Sequence, residues 1–397
     1  MRLIHLSDLH LGYRQYQRQT PTGINQREAD VAAAFRRAID KIVEAAPEIV
    51  LIAGDVFHAV RPTNTAIVHA FQQFSRLKQS LPDAIIVMIA GNHDTPRAVE
   101  TGCILRLFTP LGIHVVHGEP ERLTFPDRGL SILAVPDALR DHPVLEPDPA
   151  AKHNILLIHC EITGMLEATG AVQERSGIEI SPEEIKPTRW NYVALGHYHV
   201  YRQLAPNMYY AGSMEYTSVS TWNELAEERA VKLPGKGMIE YDLATEKRKF
   251  HFLPASRPLV DLPIINARGM SAADLDAAIQ GGIERVSGGI DDKIVRQVVR
   301  DVPRHIAREL DHKALRDLKR RALHYHLDTR RPEVIRSSAT GGPGRRPSLA
   351  ETVRDHLQRR VMTADIDRER LVTMGLDYLQ QADTIESTAP IAAGAPE

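Results

Sequence analysis

Seven short apolar runs, set apart by helix-like or turn-rich stretches, constrain this chain more than any other feature. They are Leu3–Leu6, Ile49–Ala53, Ile85–Ala90, Gly129–Val135, Ile155–Ile158, Tyr192–Leu195 and Met208–Ala211. Their shortness and β-branched content predict buried strands. Between the first three, Val31, Phe35, Ala38, Ile39, Ile42 and Val43 recur at helical spacing. So do Ile67, Ala70, Phe71, Phe74 and Leu77, with Thr63 or Thr65 as the cap. Strands alternating with helices predict a layered α/β domain. The later part is richer in strands, with a turn at Gly235–Gly237 before Met238–Leu243 and then Lys249–Leu253. That pattern favours a β-sandwich flanked by helices over a simple doubly wound sheet.

The length of 397 residues predicts two or three domains. A boundary is expected at Pro254–Pro258, closing a first domain over residues 1–256. A small α+β unit is expected over 257–335. Its elements are strand Leu259–Ile265, helix Ala272–Val286, strand Lys293–Val299, helix Ile306–Ala322 and strand Leu323–Leu327. Residues 336–347, RSSATGGPGRRP, have the composition of a linker. Ser348 and Glu351 then match a capping box. It opens a helical segment over 348–382 whose apolar stripes are Val353, Leu357, Val361 and Leu371, Met374, Tyr378. A disordered tail is expected over 383–397.

Hydrophobic residues make up 43% of the chain, enough for a sizeable core. No apolar run approaches the roughly 20 residues of a membrane span. The opening MRLIHLSDLHLG reads as a first strand and not as a signal peptide. Cys103 and Cys160 are too few for a disulfide framework and lack zinc-site spacing, so a reducing cytoplasm is the expected location. The net charge is −2, yet Lys293 to Arg346 carry 15 Lys and Arg against 6 Asp and Glu. A basic late region beside an acidic early one suits a polyanionic partner, and equally a solvated helical face.

Five of the apolar runs end in side chains able to hold a metal. In order these are Asp8-Leu9-His10, Gly54-Asp55, Gly91-Asn92-His93-Asp94, His159, and Gly196-His197-Tyr198-His199. The carboxyl ends of strands in a layered α/β domain converge on one edge. Residues i and i+2 of an extended segment point the same way, so Asp8 with His10, and His197 with His199, can each serve one site. Two carboxylates, an amide and four imidazoles are too many for one tetrahedral zinc. They suit two adjacent divalent ions of the manganese or iron class, with zinc possible. A carboxylate such as Asp55 can bridge them, and the pair can activate water for in-line attack at phosphorus. Gly54, Gly91 and Gly196 directly precede these residues, where the backbone must turn and approach closely.

The ordered set Asp-x-His, Gly-Asp, Gly-Asn-His-Asp, His, Gly-His-x-His resembles the calcineurin-like metallophosphoesterases over residues 1–256. The resemblance implies a four-layer β-sandwich. It implies one metal on Asp8, His10 and His199, a second on Asn92, His159 and His197, and Asp55 as the bridge. It further implies that His93 acts as general acid or charge stabiliser, with Asp94 in a position to orient it.

Within that superfamily, four features are similar to the SbcD type of nuclease. Gly54-Asp55-Val56-Phe57-His58 lacks the Arg of protein phosphatases, and the resemblance implies that His58 assists near the scissile phosphate. His5-Leu6-Ser7-Asp8-Leu9-His10-Leu11-Gly12-Tyr13 followed by Asn25-Gln26-Arg27-Glu28 is similar too. Tyr13, Arg14, Arg18 and Arg27 are candidates there for DNA contact. Gly212-Ser213-Met214-Glu215 with Lys236-Gly237-Met238 is the third feature. The fourth is the order of a capping unit (257–335) and a helical segment (348–382) after the first domain. The implied activity is a 3′-to-5′ exonuclease with endonuclease action, dependent on two metals with a manganese preference. The implied partners are DNA, an SbcC-like SMC-type ATPase and a second copy in a homodimer. A cyclic-nucleotide or small-molecule phosphodiesterase and a non-catalytic DNA-end tether stay open as alternatives.

Overall fold

The computed structural model describes residues 1–96, 102–137, 144–165, 176–332, 348–359 and 367–388, the last eight by backbone alone. The chain divides into two compact units, Met1–Pro332 and Glu333–Glu397.

In the first unit, two six-stranded sheets lie face to face. One has the order β14-β13-β1-β2-β3-β4, formed by Arg248–Phe252, Gly237–Asp242, Arg2–Leu6, Ile49–Ala53, Ile85–Ile89 and His114–Val116. The other has the order β11-β12-β10-β7-β6-β5, formed by Arg202–Ala205, Met208–Tyr210, Tyr192–Gly196, His153–His159, Leu130–Val135 and Glu121–Phe125. The inner strands β1, β2 and β3 pair in parallel, as do β6, β7 and β10. Such strands are covered on both faces and read as unbroken apolar runs. All seven runs coincide with strands to within two residues at either end.

Alternate residues of each strand face different cores. Leu3, Leu51, Ala53, Val87 and Ile89 meet Ile132, Ile155, Leu157 and Tyr192 between the sheets. Ile4, Leu6, Val50, Ile52 and Met88 instead meet helices α1 (Gln26–Ala45) and α2 (Asn64–Ser80) through Phe35, Ile39, Phe74 and Leu77. The outer face of the second sheet buries Leu156, Ile158, Val193 and Leu195 under Ile178, Ile180, Ile185 and Trp190. Two short strands, β8 (Glu161–Ile162) and β9 (Glu179–Ile180), pair with each other there. The result is a sandwich of two sheets, with α1 and α2 outside the first and the β8–β9 pair and the segment through Trp190 outside the second. Thr63 caps α2, its side chain accepting from Ala66 N–H. Phe71 is 38% exposed and not part of the core stripe expected for it. Helix α3 (Thr221–Ala230) lies between β12 and β13 in the chain.

After β14 comes a separate four-stranded sheet with its own core of Leu275, Ile279, Val295, Val299 and Tyr325. The strand expected over Leu259–Ile265 is interrupted: β15 (Leu259–Asp261) and β16 (Ile265–Asn266) both pair with β17 (Ile294–Arg300). Pro263, which has no N–H, sits in the break. Helix α4 covers Ala272–Glu284. The single helix expected over Ile306–Ala322 is two, α5 (Arg304–Glu309) and α6 (His312–Arg321). The side chain of Asp311 accepts from Lys313 and Ala314 N–H and starts the second helix afresh. Strand β18 spans His324–Thr329 beside β17.

This sheet is fastened to the sandwich at the loop after β1. Tyr16 stacks on His324 with ring centroids 4.0 Å apart, and Arg18 donates to Ala322 O at 3.1 Å. Arg257 pairs with Asp30 at 3.0 Å.

The second unit holds α7 (Leu349–Arg359) and α8 (Arg368–Thr388). Ser348 and Glu351 make the reciprocal capping bonds. Gly375 lets Leu357 and Val353 approach its backbone. Helix α8 runs past residue 383, where the tail was expected to begin. The linker 336–347, Val361 and residues 389–397 lie outside the described residues. No helix among the described residues is long and apolar enough to cross a membrane.

Candidate metal centre

All seven residues expected as ligands meet at one edge, where the loops after β1, β2, β3, β7 and β10 converge. Backbone bonds zip the first two loops together. Asp8 N–H donates to Gly54 O at 3.1 Å, and His10 N–H to Asp55 O at 2.9 Å. A Cβ on Gly196 would collide with the carbonyl of Ala53, and one on Gly91 with the Asp55 carboxylate. Only glycine lets the two sheets and the two loops come this close.

The side chains form two groups about Asp55. On one side, His10 Nε2 lies 2.9 Å from His199 Nε2 and 3.8 Å from Asp55 Oδ2. Asp8 Oδ1 is 4.0 Å from His199 Nε2. On the other side, Asn92 Oδ1 lies 3.1 Å from His159 Nε2 and 3.3 Å from His197 Nδ1. Asp55 Oδ2 is 3.6 Å from His159 Nε2 and so faces both groups. His159 Nδ1 lies 2.8 Å from Ala53 O, which fixes its N–H there and turns Nε2 inward.

Four of these residues, Asp8, His10, Asp55 and His197, have positive φ of 52°, 44°, 50° and 106°. Non-glycine residues in that region each cost on the order of 1–3 kcal/mol and persist where the surroundings over-determine them. Burial, and then the neighbouring His199, pushes the His10 imidazole well below its usual pKa. Burial and His159 take His197 down to about 3. Asp55 is opposed by burial, but the His159 and His93 rings outweigh it and hold the carboxylate below its usual range. Against burial, Asp55 raises His159 and Glu224 raises His199, and burial raises Asp8; a bound cation would select the neutral imidazoles and ionised carboxylates of the whole set.

The cluster therefore fits divalent metal. Imidazole nitrogens turned toward one another at 2.9 Å have at most one proton between them. A cation between the two nitrogens would satisfy both. Asp8, His10 and His199 are close enough to share one, and so are Asp8, Asp55 and His159.

Two further histidines adjoin the cluster. His93 Nδ1 is 2.9 Å from His58 O, and the two rings stack at 5.2 Å. His58 Nδ1 is 3.4 Å from His10 Nδ1. The role expected for Asp94 requires correction. Its oxygens accept from Val56, Phe57 and Gly91 N–H, so it ties the second and third loops together, while the carbonyl of His58 orients His93. Burial and then Asp55 push Asp94 up to about 7.

The DNA-contact candidates divide. Arg27 is 1% exposed and is consumed by Asp30, Glu215 and the carbonyl of Tyr216. Tyr13 is buried edge-on to His58. Burial removes both from direct contact with DNA, since a motif at a loop start gives no sign of which side chains turn inward. Arg14 and Arg18 reach the surface, paired with Glu28 and with Asp292.

Sequence reasoning missed one wall of the pocket that opens above the cluster. Thr217, Ser218 and Val219 line it, and Glu224 lies 3.5 Å behind His199. The only signal was their place just after Gly212-Ser213-Met214-Glu215.

The profile of the calcineurin-like phosphoesterase family matches residues 1–201. Among curated proteins, the chain is similar to the DNA double-strand break repair protein Mre11 of Methanococcus maripaludis. The two are 29% identical over 261 residues, 62% of this chain and 63% of that protein. The Mre11 protein of Methanocaldococcus jannaschii is 38% identical over 97 residues, 24% of each chain. That of Methanosarcina mazei is 23% identical over 359 residues, 80% of this chain and 55% of the relative. The matched stretch thus spans less than two thirds of each relative. Since the family profile covers just over half of the chain and includes every loop of the cluster, the chain belongs to the calcineurin-like phosphoesterase family.

Proposed function

We propose that this chain is a DNA nuclease of the SbcD type, hydrolysing phosphodiester bonds at DNA ends in double-strand-break repair. The observation that carries this reading is the pair of ligand groups about Asp55, which lies within reach of both. Likeness to the Mre11 break-repair proteins directs it to DNA.

Asp8, His10 and His199 would hold one divalent cation and Asn92, His159 and His197 the other, with Asp55 shared. When bound, two such ions, manganese by preference, supply positive charge to the phosphate and an activated water near neutral pH. The pocket above the cluster opens to solvent, so a strand can lie across it with a phosphate turned toward His10, Asp55 and Asn92.

His93 lines the pocket and is held there by its Nδ1–H, which donates to the His58 carbonyl. The attacking oxygen forms its bond to phosphorus as the bond to the departing sugar oxygen breaks. In its imidazolium form His93 gives the departing oxygen its Nε2 proton and later regains one from solvent, and the attacking water gives one to solvent. His58, stacked on His93, keeps that ring in place and stands beside the phosphate.

Residues 1–256 form the nuclease domain in this reading, and 257–335 cap it and grip the DNA backbone. Lys313, Arg316 and Arg320 share one exposed face of α6 for that purpose. Residues 348–382 dock on an SbcC-like SMC-type ATPase. Leu349, Met374 and Tyr378, 65%, 46% and 66% exposed, supply the apolar contacts. Val68, Phe71 and Leu107 are exposed apolar side chains for a homodimer contact. Cleavage proceeds 3′ to 5′, with endonuclease action on hairpins.

The deciding experiment is an assay of purified protein on end-labelled linear DNA with manganese, with magnesium and with chelator. Shortened products that need the metal support the reading. DNA binding without cleavage would make the protein a tether. Hydrolysis of small diesters without DNA binding would make it a small-molecule phosphodiesterase.

A further inference from the structure

Behind His199 lies a buried charged group that the reaction itself does not use. Lys236 is 3% exposed, and its ammonium has three donors and three acceptors. It donates to His199 O at 2.9 Å, pairs with Glu228 Oε1 at 3.0 Å and binds the carboxylate of Glu224. The ammonium also sits 4.6 Å from the centre of the Tyr216 ring. Glu224, buried in the first turn of α3, accepts from Ser218 N–H at 3.2 Å through Oε1. The same Oε1 is 3.5 Å from His199 Nδ1, a buried nitrogen with no closer polar partner among the described residues. On the far side of that ring, Nε2 faces His10 and Asp8.

Two carboxylates and one ammonium leave this buried group with a net charge of −1. Burying an uncompensated carboxylate is costly, so the group calls for one more hydrogen-bond donor. The imidazole edge of His199 is the nearest. A histidine that offers one nitrogen to a metal ordinarily gives its other N–H to a carboxylate or carbonyl, which fixes tautomer and ring orientation.

We propose that Glu224 and Lys236 act as a positioning pair for the metal centre. Glu224 takes the Nδ1–H of His199, and Lys236 grips the carbonyl of the same residue and the carboxylate of Glu224. Backbone and ring are thereby held as one piece, with the Nε2 lone pair aimed at the cation. Neither residue touches substrate. The inference rests on the two-cation reading, and it adds that half of the His199 site is built from α3 and the turn before β13.

The test uses the full chain carrying Glu224→Gln and, separately, Glu224→Ala. The Gln variant keeps the shape and one acceptor oxygen, and puts an NH2 donor in place of the other. Manganese titration calorimetry is expected to show affinity falling about 10-fold for Gln and about 100-fold for Ala, the span typical of partners behind a ligand. The metal-free Gln variant is expected to melt cooperatively and near the wild type. Nitrogen-15 NMR of the metal-free wild type at alkaline pH is expected to find His199 protonated at Nδ1, with mixed tautomers in the Ala variant. A folded Gln variant that binds manganese as tightly as wild type would overturn the proposal, as would a wild-type His199 protonated at Nε2. A wild-type chain that takes up no manganese would instead overturn the two-cation reading, which the tautomer measurement does not require.

Discussion

Single side chains divide into those that do chemistry and those that hold it in place. His93 belongs with the first. Replacing it by Gln is expected to lower cleavage by about 10²-fold or more, the usual range for a general acid. DNA affinity, measured by fluorescence anisotropy, should stay near wild type, since the phosphate grip lies elsewhere. Arg27 belongs with the second. Its buried guanidinium neutralises Asp30 and Glu215, so Arg27→Met should destabilise the fold by about 3–5 kcal/mol, as removal of one partner of a buried pair does. Urea unfolding measures this. A variant of normal stability that failed only in DNA binding would restore Arg27 as a DNA contact. The distinction marks what was legible in the sequence. Asp8, Asp55 and His197 could be read because they end apolar runs. Arg27 and Glu224 could not, because a charged residue on a helix is ordinarily solvated, and only the packed structure turns these inward.

Among the elements, the strands were the most readable and the small later sheet the least. A parallel strand buried on both faces leaves an unbroken apolar run, whereas α5 and α6 share one amphipathic period that hides the break at Asp311. The interruption at Pro263 was hidden likewise by apolar neighbours. Two predictions belong here. Replacing Lys313, Arg316 and Arg320 of α6 by Gln should weaken DNA binding at low salt. The slope of log affinity against log salt should fall by about 0.9 for each phosphate that the helix no longer neutralises. An unchanged slope would remove α6 from the interface. Gly196→Ala should cost roughly 1–3 kcal/mol or more, because its new methyl overlaps the Ala53 carbonyl across the sandwich. Thermal melting of the metal-free protein reads this directly.

For the whole molecule, the cluster joins both sheets. Asp8, Asp55 and Asn92 come from the first, and His159, His197 and His199 from the second. A ligand that binds only the folded form stabilises it by mass action, by about 2.7 kcal/mol at a hundred times its dissociation constant. Manganese should therefore raise the melting temperature and chelator should reverse the rise; a melting curve indifferent to both would argue against cation binding at the cluster.

Strand β13, drawn from residues 237–242, lies against β1, where it pairs antiparallel from Arg2 to His5. All seven candidate ligands precede it in the chain, yet without it the strand that delivers Asp8 and His10 would be the bare margin of its sheet, its amides open to water or to another chain. A fragment ending after His199 would thus own every ligand and lack the clamp that keeps the first two in register. Cutting the protein down to its recognisable motifs would yield an aggregating piece, not a minimal enzyme.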